Sequence, residues 1–470
     1  MSTNSKSVFS LPSYFFSKVQ LAAFKELSID LWNHSLAQTL HDLPVKKDTM
    51  ISYLKDIKGG YPIALAYAGH QYGHFSMLGD GRASLIKEVI GPSKSYDLHL
   101  KGSGKTPYSR GFDGRATLRS TLLEYLMSEA MHYLNIPTSR TLAIIKTGEK
   151  VKRFKEEEGS MLLRIASSHL RVGTVQYASV IKQQAGVKEI IDLAIRRHDE
   201  DLVSEPNRYI KWYNRTVKRQ AELVAKWQSV GFVHGVLNTD NTSLCGESID
   251  YGPCAFLDQY DLNAVYSSID HSGYYAFNQQ PYRISWNMAK LGEMILPIIS
   301  EDKTISLSKI KDVLGRFGDY FETAYYHHLA QKIGIKLLND SDKLIINDLL
   351  KIMEDEQLDY TNTFLYLMGD EEVKEAAHES ESFKNWVKLW KKRLESEGNP
   401  SEIMKKSNPK IIPRNHLVKQ ALDDVEHRQD YSLYLSLLEL LRNPYSNDFV
   451  KAFYKKVPQG LPKHITFCGT

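Results

Sequence analysis

Residues Phe232 to Asp258 read FVHGVLNTDNTSLCGESIDYGPCAFLD, which gathers His234, Asn238, Asp240, Asn241 and Asp250 around one short turn. Asn and Asp side chains are hard oxygen donors, suited to a divalent cation that neutralises phosphate oxygens. Phe232 and Val233 predict a brief strand, 238–241 a loop, and Leu244 to Ile249 a small hairpin turning at Gly246-Glu247. Asp250 then projects from a strand end toward a cleft.

The spacing is that of a kinase catalytic core with one part moved. Such cores carry a His-x-Asp, a following Asn that binds metal, and a later Asp-x-Gly. His234, Asn241 and Asp250-Tyr251-Gly252 keep this order, but the position two residues after His234 is Val236. A valine cannot accept a hydroxyl proton. Either the base has moved or the chemistry is lost.

Upstream, 64–88 reads as strand, tight turn and strand, with Gly79-Asp80-Gly81-Arg82 at the turn. Backbone N–H groups free of Cβ crowding and an adjacent arginine can cradle phosphates, although a plain hairpin has the same pattern. His70 and His74 stand four apart, but the surrounding glycines argue against a shared helical face. Asp97 to Lys101 is a short strand. The following GSGKT is no P-loop, because His99 stands where that motif needs glycine. Lys105 is thus a solvated lysine and Lys101 the better phosphate contact. Leu118, Leu122, Leu126 and Ala130 then form a helical stripe ended by Asn135-Ile136-Pro137. Glu124 at its edge is either solvated or the carboxylate that pairs with the strand lysine. Thr141–Lys146 and Ser160–Ala166 are strands around a charged turn. Five strands and one helix make a first lobe, and Arg164 and Arg171 are placed to clamp a polyphosphate or to bridge surface charges.

Residues 181–230 are helical, and a Tyr/Ser/Gly-rich loop from Ala264 to Tyr282 is placed to cover a substrate groove. Amphipathic helices follow, among them 313–330 and 371–395, with breaks at Asn408-Pro409 and Ile412-Pro413; the tail from Val457 should be flexible. The expected organisation is an extension over 1–60, an N-lobe over 61–170, a C-lobe over 171–300 and a helical region with a flexible tail over 301–470. The class is α+β, a two-lobed kinase-like fold with a small antiparallel sheet and a mainly helical second lobe.

The chain has 470 residues, 42% hydrophobic and 25% charged, with a net charge of +4. These values suit a globular protein and exclude extensive disorder, a nucleic-acid groove and a basic membrane patch. The start lacks a signal-peptide core and no apolar run spans a bilayer, so the expected location is cytoplasmic. Cys245, Cys254 and Cys468 are too few for a disulfide framework and lack zinc-ligand spacing.

The chain resembles the selenoprotein O family of protein adenylyltransferases over most of its first 290 residues. The resemblance rests on GDGR at Gly79, LKGSGKTPYSR at Leu100, DGRATLRSTLLEYLMSEAMHYLNIPTSRTL at Asp113 and LLRIASSHLRVGT at Leu162. It continues in HGVLNTDN at His234, DYGP at Asp250 and NQQPYRISWNMAKL at Asn278. It implies a kinase-like fold binding ATP end for end, with AMP passing to Ser, Thr or Tyr hydroxyls of protein substrates and UMP from UTP as a variant. By matching position, Gly79, Gly81, Arg82, Lys101, Asp113, Gly114, Arg164, Arg171 and Asp250 would bind the nucleotide. Asn241 and Asp250 would hold Mg2+ or Mn2+, Asp240 would be the base, and Glu124 would pair with Lys101. The family commonly ends in a redox-active cysteine or selenocysteine, the place of Cys468, although reduced thiols suit a cytoplasm. Two other readings remain, a phosphotransferase using the γ-phosphate and a silent nucleotide-binding scaffold.

Overall fold

The chain begins with β1 (Phe16–Lys18), β2 (Ser28–Trp32), α1 (His34–Gln38) and α2 (Lys47–Lys55). Then come β3 (Ile63–Gln71), β4 (His74–Gly79), β5 (Ala83–Ile90), β6 (Ser95–Lys101), β7 (Ala116–Thr117), α3 (Leu118–Tyr133), β8 (Arg140–Lys152) and β9 (Glu156–Ala166). This is a computed structural model, and it describes residues 5–56, 61–446, 448 and 450–466. The strands form one antiparallel sheet of nine, ordered β1-β3-β5-β6-β9-β8-β2, with β4 on β3 and β7 on β9. The five strands expected are therefore joined by four more, and the leading segment does more than wrap the lobe: β1 and β2 close opposite ends of the main strand order. The charged turn shrinks to three residues because Lys150 to Lys152 pair with Glu158 to Glu156 across β8 and β9.

One face of the sheet packs on α3, whose side chains are buried nearly all round, Glu124 and Glu129 included. The other face is covered by α1 and α2. The chain continues through α4 (Val172–His198), α5 (Arg208–Ser229), β10 (Phe232–Val233), β11 (Ala255–Phe256) and α6 (Gln280–Ile299). α4 is kinked at Gln183, where φ is 48°, and a break separates it from α5, so 181–230 is not one continuous helix. The expected hairpin at Leu244–Ile249 does not form. Its backbone is taken elsewhere, Leu244 N donating to Leu170 O at 2.9 Å and Ser248 N to Pro137 O at 2.9 Å. The strand pair lies further out, Phe232 opposite Phe256 and Val233 opposite Ala255.

The remainder is helical: α7 (Lys303–Gly315), α8 (Phe317–Lys332), α9 (Asp340–Asp355), α10 (Tyr360–Leu367), α11 (Glu381–Leu394), α12 (Pro400–Ser407), α13 (Asn415–Arg428), α14 (Ser432–Leu441) and α15 (Ala452–Lys455). The stretch 313–330 divides between α7 and α8 at Arg316. In 371–395 the helix starts only after Ser380, whose hydroxyl caps Phe383 N at 3.3 Å. Residues 457–465 have no regular structure, and Thr466 is tied down, its N donating to Tyr266 O at 2.8 Å and its hydroxyl to Pro253 O at 3.0 Å. Cys468 lies outside the described residues. Among the described residues no helix is long and apolar enough to cross a membrane.

These C-terminal helices reach back to the opening stretch. Arg414, fully buried, donates to Asp359 Oδ2 at 2.7 Å and Oδ1 at 3.0 Å, and lies 3.4 Å from Asp258 at the end of the β10–β11 pair. Asn415 Nδ2 donates to Phe256 O at 2.7 Å. Removing one partner of a buried pair strands the other charge. Arg414→Ala is therefore expected to destabilise the fold by about 3–5 kcal/mol, measured by guanidinium denaturation.

Candidate active site

Side chains on a strand alternate between faces, so Asp97, His99 and Lys101 of β6 share one face. The neighbouring strand adds Arg164, directly opposite His99. The helix across this face is α3, and it carries Glu124. Lys101 Nζ lies 2.6 Å from Glu124 Oε2 and 2.9 Å from Asp250 Oδ1, while Arg164 Nη1 lies 3.1 Å from Glu124 Oε1. Asp250 is reached because its backbone turns left-handed there, at φ 66°. Lys101 above all, with Arg82 and Arg164, holds its carboxyl well below the usual carboxylate range.

A second chain of contacts leads to the Gly79–Arg82 turn. Arg164 Nη2 lies 3.1 Å from His99 Nδ1, and His99 Nε2 lies 3.2 Å from Asp80 Oδ2, which also accepts from Leu65 N at 3.1 Å. Burial keeps His99 below its ordinary value and so neutral; Nδ1 then accepts from arginine and Nε2–H donates to Asp80. Burial works against the Asp80 carboxylate, but His99 and Arg171 hold it down at about 2. Arg171 stacks over the Tyr67 ring and donates from Nη1 to Asp240 O at 2.9 Å.

Asp240 sits in a 3-10 turn, Thr239–Asn241, on the connection between β10 and β11. His234 Nε2 reaches Ile249 O at 3.0 Å, which ties this loop to the segment before Asp250. The Tyr-rich 264–282 stretch, expected over a groove, also supports the loop: Tyr275 OH donates to Asn238 Oδ1 at 2.5 Å. Asp240 fits only because two neighbours lack side chains. A Cβ on Gly69 would fall 2.3 Å from Asp240 Oδ1, and one on Gly173 would fall 3.3 Å from its Cα and 2.0 Å from Ala68 O. Burial pushes the Asp240 carboxyl up to about 6, against Arg171 and a hydrogen bond from Gln71, and among the described residues its Oδ1 has no hydrogen-bond partner.

Nine of the residues singled out in the sequence line one cleft: Gly79, Gly81, Arg82, Lys101, Asp113, Gly114, Arg164, Arg171 and Asp250. Asp240 and Asn241 are not among its lining residues; Arg171 connects them to it. Arg164 donates from one terminal nitrogen to Glu124 and from the other to His99, and brings its charge and remaining N–H groups to the cleft. The glycines serve the wall as well as the opening, since a Cβ on Gly79 would meet the Tyr108 ring at 2.3 Å and one on Gly114 would meet Gly104 backbone at 2.2 Å. Asp113 is held by Arg153 at 2.8 and 3.1 Å. Lys105 is exposed, and no helix follows GSGKT. His70 Nδ1 meets Gln176 Nε2 at 2.7 Å, an ordinary hydrogen-bonded histidine.

The oxygen donors suit a hard cation. Asn241 gives its Nδ2 to Val236 O at 3.1 Å, and among the described residues no donor reaches its Oδ1; Asp250 has one oxygen on Lys101 and a second to offer. Cys245 and Cys254 are free, and burial raises both thiols, Cys245 to about 12.

Sequence reasoning passed over Asp80, Gly69 and Gly173. Asp80 stood inside the turn read only for its N–H groups; nothing in the sequence marks the two glycines as neighbours of Asp240. Glu124 carries two buried cations. Glu124→Ala is accordingly expected to lower stability by about 3–5 kcal/mol, read as a reduced thermal unfolding midpoint.

The family described as "Protein adenylyltransferase SelO" matches residues 2–442. A relative from Bacillus cereus (strain ATCC 14579), named "Protein nucleotidyltransferase YdiU", is 45% identical over 472 aligned positions, covering 98% of this chain and 96% of its own. A relative of the same name from Bacillus thuringiensis (strain Al Hakam) is 44% identical with the same coverage. Among solved structures, ROP2 from Toxoplasma gondii, titled as having a protein-kinase fold and no enzymatic activity, matches at TM-score 0.24 and 9% identity over 72% of this chain and 84% of that one, too slight a likeness to carry weight. The chain belongs to the SelO family of protein adenylyltransferases.

Proposed function

We infer that this protein transfers AMP from ATP to Ser, Thr or Tyr hydroxyls of other proteins, in the cytoplasm. The relatives' broader name, nucleotidyltransferase, extends the reading to UMP from UTP. The observation that carries it is the altered loop: Val236 cannot serve as a base, whereas Asp240, four residues on, is a buried carboxylate joined through Arg171 to the cation-lined cleft.

In the reaction the acceptor oxygen forms a bond to the α-phosphorus as the bond from that phosphorus to the bridging β-phosphate oxygen breaks. Pyrophosphate leaves with the electron pair, and the hydroxyl proton passes to Asp240. Lys101, Arg82 and Arg171 supply positive charge where the phosphoryl oxygens gain negative charge. Glu124 fixes Lys101 from behind, so the ammonium is oriented before substrate arrives. Asn241 and Asp250 would hold Mg2+, or Mn2+, whose charge would neutralise the triphosphate and the departing pyrophosphate. Positioning provides most of the rate in such a site, because a misplacement of 1 Å can cost about 100-fold.

Incubation with α-labelled and γ-labelled ATP separates the readings. Label from the α position should enter protein while γ-label is released as pyrophosphate; γ-label in protein would instead identify a phosphotransferase, and label from neither a silent nucleotide binder. Asp250→Ala should abolish stabilisation of the protein by ATP and magnesium in thermal unfolding.

Asp240→Asn is expected to reduce turnover by about 10²–10⁴-fold with ATP affinity preserved, measured by initial rates and calorimetric titration. Gly69→Ala should lower turnover by about 100-fold through displacement of Asp240 alone.

A further inference from the structure

We propose that the free edge of β4 receives an extended segment of the acceptor protein by strand addition, which delivers its hydroxyl to the cleft. The proposal rests on the nucleotidyl-transfer reading and adds the form in which the acceptor is recognised.

Among the described residues β4 pairs with β3 alone, and no backbone group from His74 to Met77 bonds to anything beyond β3. Such an edge presents unpaired N–H and C=O groups, which a further strand satisfies at a spacing of about 4.8 Å. The edge is also apolar where a solvated one carries charge: Phe75 and Met77 are each 45% exposed. Phe75 rests on His70, which rests in turn on Trp286, so that face is backed by packed rings.

Its place in the molecule selects the occupant. The β3–β4 hairpin is fastened to the loop that carries the base: His70 N donates to Thr239 Oγ1 at 2.7 Å, Tyr72 N to Asn238 Oδ1 at 3.3 Å, and Gly69 lies against Asp240. Cross-strand partners share a face, and the register pairs Tyr67 with Leu78 and Gly69 with Ser76. Tyr67 lines the cleft, and Gly69 faces Asp240. An added strand therefore directs alternate side chains to the face where the nucleotide and the base lie, and the intervening ones to Phe75 and Met77. Backbone pairing supplies affinity with little demand on sequence, as a set of varied hydroxyl acceptors requires.

The test uses the full chain, α-labelled ATP, and lysozyme in two forms, native and reduced-carboxymethylated, the second being extended. The unfolded form should be labelled and the native form labelled far less. Met77→Lys, and separately Phe75→Ser with Met77→Ser, should raise KM for the unfolded form by about 10-fold or more, with kcat unchanged and with the slow hydrolysis of ATP to AMP and pyrophosphate, water being the acceptor, also unchanged. Amides of 74–79 should exchange more slowly at saturating unfolded lysozyme. Equal labelling of both forms, no labelling of the unfolded one, an unchanged KM in the variants, or unprotected 74–79 amides would each overturn strand addition. Failure of the wild-type chain to release pyrophosphate at all would instead overturn nucleotidyl transfer, while the exchange measurement still reports on the edge.

Discussion

Glu124 accepts Lys101 on one oxygen and Arg164 on the other, deep between α3 and the sheet. Two cations that would repel each other in a low-dielectric site are held together by one carboxylate, and everything at the cleft follows from that. Lys101 is turned toward Asp250; Arg164 is turned toward His99, and through it toward Asp80 and the glycine turn. The cleft thus has a charged floor set by the protein before any phosphate enters, which is what a reaction that develops charge on phosphoryl oxygens needs.

The same arrangement divides the labour between the lobes. The sheet lobe supplies cations on strands, whose alternation fixes their direction. The helical lobe supplies the loop oxygens of Asp240, Asn241 and Asp250, whose position depends on a strand pair only two residues long. Arg171, at the start of α4, touches both, stacking on Tyr67 and donating to Asp240 O.

Much of this was legible in the chain. Lys101 ends an alternating strand, Glu124 sits on a helix marked by the stripe of Leu118, Leu122, Leu126 and Ala130, and His234, Asn241 and Asp250 follow one another at the intervals of a kinase core. What escaped reading was set by contacts between distant segments. The hairpin assigned to Leu244–Ile249 failed because its backbone groups are taken by 137 and 170, far away in sequence. The edge strands β1, β2 and β4 are short or irregular in pattern and acquire their state from the strand beside them. Gly69 and Gly173 have no local signature, since their value lies in the space they leave for Asp240. Nor does the sequence show that Arg164, while lining the cleft, also donates to Glu124 and His99.

The C-terminal helices give the molecule a different kind of unity from the one its two-lobed plan suggests. Arg414 and Asn415, at the start of α13, hold the β10–β11 pair, while Tyr434 OH of α14 donates to Leu122 O at 2.9 Å and Arg119 reaches Asp423 and Glu426 of α13. The last third of the chain therefore grips both the helix that bears Glu124 and the hairpin that bears Asp240. Such a protein is not a catalytic module with an appendage that recombination can exchange. A change in the packing of α13 or α14 is therefore felt in a loop far earlier in the chain.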